Sequence, residues 1–111
     1  MEHKSKQVLE LEKALGFELE DRQFEVDEEG EVISLLIGHR KLQNYTHYIG
    51  ELTNLKTLKL VSSDLTDITF LQNLKSLQTI DFADNEISDI SSISSLEELV
   101  VIADVTQIYN N

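Results

Sequence analysis

The sequence predicts a right-handed α/β solenoid, in which short parallel strands alternate with 3₁₀ or irregular return segments behind an N-terminal cap. Three observations point there. Leu52, Leu74 and Leu96 stand 22 residues apart, and so do Leu55, Leu77 and Leu99. Each copy keeps the same internal offsets: Leu55, Leu58, Leu60, Ser63 and Leu65 are repeated by Leu77, Ile80, Phe82, Asn85 and Ile87. Leu58/Leu60 and Ile80/Phe82 alternate with the period of two that puts side chains on one side of a strand. One strand per 22 residues, always running the same way, stacks as a parallel ladder with a shared core.

Composition sets the outer limits. The 111 residues are 41% hydrophobic and 27% charged, enough apolar material for one domain with a buried interior. That domain divides into a cap at 1–31, repeats at 32–99, and a terminal strand and tail at 100–111. There are no cysteines, hence no disulfide framework and no thiol nucleophile. The first sixteen residues hold no apolar run of the kind found in a secretory signal, so a cytoplasmic location is expected. Twenty-one acidic against nine basic residues leave a net charge of −12. This excess repels phosphate backbones and anionic headgroups, which argues against nucleic acid or membrane partners.

The elements follow in order. Val8, Leu11 and Leu15 fall at helical spacing between Ser5, an N-cap residue, and Gly16, a helix stop, which predicts a helix over 5–15. Phe24, Val26 and Val32 alternate around Asp27-Glu28-Glu29-Gly30 and predict a hairpin. A first, weaker copy of the repeat reads Val32, Leu35, Ile37, Arg40, Leu42 and stands 23 residues before the next. Arg40 cannot be buried where the later copies place Ser63 and Asn85, so this copy must bend differently. The return stretches TDITFLQN and SDISSISS supply Ser, Thr and Asp for local turns, with Ile68, Leu71, Ile90 and Ile93 facing inward. They lack a long face of period 3.6 and are expected to form single turns or 3₁₀ pieces. Asn85 is expected inside the bend after its strand, where its amide satisfies backbone groups. The last copy, Leu96, Leu99 and Ile102, decays at Asp104, and its strand is expected to leave an edge through which residues 100–109 could pair with a second copy.

The two full copies, LTNLKTLKLVSSDLTDITFLQN and LKSLQTIDFADNEISDISSISS, fit this pattern most closely. They resemble the leucine-rich repeat family, in particular the 22-residue repeats of bacterial internalin-type proteins. The helix and hairpin ahead of them look like the cap that precedes many bacterial and archaeal repeats. One departure is the lack of any proline, which such repeats often carry after the Asp-Ile pair. The resemblance implies a binding module whose strand side is the contact face. Carried onto this chain, that face comprises Ser34, Leu36, Thr57, Lys59, Val61, Thr79, Asp81 and Ala83, with Val101 at its end. The expected partner is a protein or peptide. An acidic inhibitor that blocks a basic site on an enzyme is the alternative, and it would use acids such as Glu28 or Asp84.

Motifs for bond chemistry are weak. Asp27, Glu28, Glu29 and Glu31 lack the alternating spacing of a calcium loop and read as a solvated turn. His39 and His47 stand eight apart without a third ligand at metal-binding spacing, and Ser62 and Ser63 have no glycine-flanked nucleophile turn. The expectation is a non-enzyme without metal or cofactor, and a hydrolase using His39 or His47 is the rival from another class.

Overall fold

The computed structural model describes residues 4–103. Helix α1 spans Lys6–Leu15 and buries Val8, Leu11 and Leu15. Ser5 caps it by accepting the Val8 N–H at 3.2 Å. The chain leaves the helix at Gly16 with φ 86°, a left-handed conformation that glycine adopts without a Cβ clash. A 3₁₀ turn at Asp21–Gln23 then leads into β1 (Phe24–Val26), which pairs antiparallel with β2 (Val32–Gly38). The Asp27 carboxylate closes the hairpin turn by accepting the N–H groups of Glu29 at 2.9 Å and Glu31 at 3.0 Å. The densest acidic run is therefore built around a backbone turn, as its spacing suggests.

Two polar side chains bind this cap to the first coil. The Gln7 carboxamide accepts the Val32 N–H and donates to Glu31 Oε1 at 2.9 Å, joining α1 to the start of β2. Glu12, with a side chain only 10% exposed, accepts from Lys4 Nζ and, at 2.7 Å, from the Leu19 N–H. Burial alone would raise the Glu12 pKa. The hydrogen bond and charge of Lys4 and the Leu19 N–H outweigh that effect and hold the carboxyl below its ordinary 4.5.

Strands β3 (Thr57–Val61), β4 (Thr79–Asp81) and β5 (Val101–Ala103) continue the sheet in chain order, each parallel to the one before. The register carries one row through the molecule: Leu35 opposite Leu58, Leu58 opposite Ile80, Ile80 opposite Ile102. Each coil is also tied to its predecessor just ahead of the strand, where Lys56 N–H donates to Ile33, Gln78 to Lys56 and Val100 to Gln78. Leu35, Leu58, Leu60, Ile80 and Phe82 are wholly buried in one core together with Val8 and Leu11 of the cap.

Return segments complete that core with a different period. After a 3₁₀ turn at Gln43–Tyr45, the first return makes one turn of α-helix, α2 (Thr46–Ile49). The second and third are 3₁₀ stretches at Thr69–Asn73 and Ser91–Ser95, as the sequence predicts. Leu71, Leu74 and Leu77 each donate to the carbonyl three residues back, and Ile93, Leu96 and Leu99 do the same. A 3₁₀ helix has about three residues per turn, so side chains three apart line up. Ile68, Leu71, Leu74 and Leu77 thus form a single inward row, all at most 1% exposed. Asp67 and Asp89 start these stretches by accepting the N–H groups of Thr69 at 2.8 Å and Ser91 at 2.9 Å. Those bonds lower both carboxyl pKa values.

The bend after β4 is organised by Asn85, 5% exposed. Its Oδ1 accepts the N–H groups of Ser63 at 2.9 Å and Leu65 at 3.0 Å in the preceding coil. Its Nδ2 donates to the carbonyls of Leu60 at 2.8 Å, Phe82 at 3.0 Å and Ala83 at 3.2 Å. Ser63 is buried at the same place one coil earlier, but its shorter side chain reaches only the Val61 carbonyl, at 3.1 Å. Arg40 points out instead, its guanidinium 3.7 Å from the centroid of the Phe17 ring. The first bend therefore keeps its arginine outside, where the later bends bury a serine and an asparagine.

The last coil closes less of the core. Ile90, Ile93 and Leu99 are only partly buried, and Ile102 is 49% exposed although the row it continues is sealed. Of the predicted pairing edge at 100–109, residues from Asp104 onward lie outside the described part of the chain.

Replacing Asn85 by alanine removes a partner from two N–H groups and three carbonyls at the bend. Each such loss costs ~1–3 kcal/mol, so Asn85→Ala should destabilise by about 3 kcal/mol, read as a lower midpoint in urea with an unchanged slope. Glu12 gives a pH test. A carboxyl whose pKa is lower folded than unfolded stabilises the fold above the unfolded value and loses that contribution as the pH falls through the folded one. Wild type should exceed Glu12→Gln in thermal midpoint at pH 7, and the gap should close as the pH falls below the ordinary 4.5 and through the lowered folded value.

Candidate functional site

With one side of each strand committed to the core, the other side forms a continuous face. Register places Ser34, Thr57, Thr79 and Val101 in one row and Leu36, Lys59, Asp81 and Ala103 in the next. Gly38 lies opposite Val61 in a third row. The structure therefore brings Leu36, Thr57, Lys59, Val61, Thr79 and Asp81 together on one surface, all half-buried. Ser34 differs. It is 9% exposed because the hairpin sets Glu25 of β1 on one side of it and Thr57 stands on the other, so it offers little contact area. Ala83 sits two residues past β4 in the bend, where its carbonyl accepts from Ser62 N–H at 2.9 Å and from Asn85.

At the N-terminal side of the face lies an open groove of about 510 Å³. Leu36 and Val61 line it as aliphatic surface, while Lys59, Arg22, Gln23 and His39 supply polar and basic groups. Arg22, Gln23 and His39 do not stand out in the sequence as parts of this surface. Gln23 is held in place because its side chain accepts the Glu20 N–H at 2.8 Å within a capping box. His39 enters through the bend after β2, where its φ is 61°. The same left-handed position recurs at Ser62 (φ 53°) and Asp84 (φ 60°), at nearly the repeat spacing, which is a signal available in hindsight.

His39, Ser62 and Asp84 thus occupy successive bends, a set of residue types known from hydrolytic triads. Their order is unsuited to that chemistry. Ser62 Oγ donates to Asp84 Oδ2 at 2.6 Å, so the hydroxyl proton is committed to the carboxylate and no imidazole stands between them. His47 lies in α2 on the return side, its ring centroid 4.0 Å from that of Tyr48. Among the described residues no group of three or more His, Cys, Asp or Glu side chains could hold a metal ion.

The family model for leucine-rich repeats, in two copies, matches residues 53–97. These are leucine-rich repeats. Their matched stretch contains β3, β4 and both full 3₁₀ returns, so the shared row of core residues and the free strand face belong to the repeat itself. No curated protein matches the chain in sequence. Among solved structures it is similar to an internalin C2 from Listeria monocytogenes str. 4b F2365. The identity is 37% over 58% of this chain and 31% of that one, with a TM-score of 0.48. This chain spans about a third of that protein's length. Leucine-rich repeat folds generally mediate protein–protein interaction, and their members are typically non-enzymatic binding modules.

Proposed function

We propose that this leucine-rich repeat domain binds a protein or peptide partner on its strand face, through Leu36, Thr57, Lys59, Val61, Thr79 and Asp81. The observation that carries the reading is the division of labour across the sheet. Leu35, Leu58, Leu60 and Ile80 seal the core on one side, and the residues between them project, half-buried, from the other. Asp81 spends one carboxylate oxygen on the Ala83 N–H, while Thr57 and Lys59 make no side-chain hydrogen bond among the described residues, so their chemistry is free to serve a partner. Small side chains around a few larger anchors suit docking of a globular or extended chain.

The rival reading is an acidic inhibitor that approaches a basic site. It draws on the charge of −12 and on Asp64, Asp84 and Glu86, which line one depression below the strand ends. The two readings separate on salt and on residue set. In a pull-down from the native lysate, the triple variant Leu36→Ala, Lys59→Ala, Asp81→Ala should lose the captured protein, with modest dependence on salt. Loss with Glu28→Gln and Asp84→Asn instead, together with a steep salt dependence, would transfer the function to the acidic rim.

A further inference from the structure

The groove at the N-terminal side of the strand face has a charge opposite to that of the molecule. Of only nine basic residues in the chain, Arg22 and Lys59 converge on this one groove, with His39 at its edge, and no acidic side chain lines it. Lys59 is half-buried and has no ion pair among the described residues. Its register neighbour Asp81 directs Oδ1 to the Ala83 N–H at 3.1 Å. Arg22 is paired with Glu20 at 2.8 Å, but both side chains are more than half exposed. Such a surface pair is worth at most ~1 kcal/mol and can be shared with an incoming anion.

We propose that this groove seats an acidic, aliphatic segment of a partner protein, an assignment that rests on strand-face binding and makes it more specific. An aliphatic side chain of that segment lies on Leu36 and Val61, and a neighbouring aspartate or glutamate carboxylate is held by Lys59 and Arg22. A basic segment would meet two cations of its own sign. A neutral aliphatic one would cover the Lys59 ammonium without replacing its hydration, a cost that selects against it. The net charge of the whole chain does not cancel this preference. At physiological salt, interactions fade beyond ~8 Å, so the excess acids slow the approach of an acidic partner while contact is governed by the groove lining.

The test is a 15N correlation spectrum of the full chain titrated with three pools of N-acetylated, C-amidated hexapeptides. All pools carry Leu, Ile and Val; one adds Asp and Glu, one Lys and Arg, one Asn and Gln. The acidic pool should shift the amides of Leu36, Gly38, Lys59 and Val61, and Lys59→Gln should weaken that response at least ~5-fold while leaving the rest of the spectrum in place. Equal or larger shifts of those amides by the basic or neutral pool would overturn the acidic assignment and leave strand-face binding intact. The same shifts from inorganic phosphate alone would reduce the groove to a bare anion site and overturn the peptide assignment. Shifts from all pools confined to residues off the strand face would remove both readings.

Discussion

The structure depends on every coil bringing its strand back to the same register. Leu35, Leu58 and Ile80 can share one buried row only if the chain returns to the same height after each circuit, and the parallel register shows that it does. A strand that slipped by one residue against its neighbour would turn over and exchange its core and surface sides. The first circuit holds 23 residues where the second holds 22, and the difference is absorbed outside the strands, where α2 replaces a 3₁₀ stretch. Strand residues alternate with period two and return residues repeat with period three. Both periods deliver aliphatic side chains to the same interior, which is why one core runs from the helical cap to Leu96.

A stack of turns must also satisfy backbone groups that no ladder reaches, and this requirement explains its few buried polar side chains. Asn85 serves the bend of the coil before its own as well as its own strand, so it joins neighbouring repeats as well as closing a turn. Gln43 does similar work on the return side, where its Oε1 accepts the N–H groups of Thr66 at 2.7 Å and Asp67 at 3.0 Å. At the N-terminal end Gln7 and Glu12 fasten the helix over the first coil. Nothing equivalent covers Ile102 among the described residues, and the core thins toward that end. Stability in such a solenoid is shared between neighbours, so this gradient should follow the order of coils along the chain.

Much of this was legible because repetition makes each residue's role visible more than once. The strands, the inward set and the role of Asn85 follow from offsets shared between copies, and the capped helix and the hairpin follow from their own local spacing and turn residues. What was not legible depends on single events. Ser34 belongs to the outer face by alternation, but alternation does not reveal that β1 would place Glu25 beside it. Arg22 and Gln23 reach the groove only because the hairpin folds back along β2, and His39 because its bend takes a left-handed backbone that its residue type does not announce. Gln43 carries no signal in the spacing, since its partners lie a whole coil away. The candidate site is accordingly half repeat and half cap, and only the repeat half can be read from spacing.

Function follows from the same constraint, since a face free for binding exists only while the opposite side is committed to a common interior. Residue-resolved hydrogen exchange on Ile80→Val tests that commitment most directly. Removing one methylene from a shared core costs ~0.5–1.5 kcal/mol, and the free energy of opening should fall by that amount at the amides of β2 and β3 as well as β4. A fall confined to β4, with β2 and β3 unchanged, would mean that the coils keep separate cores, and would contradict the account.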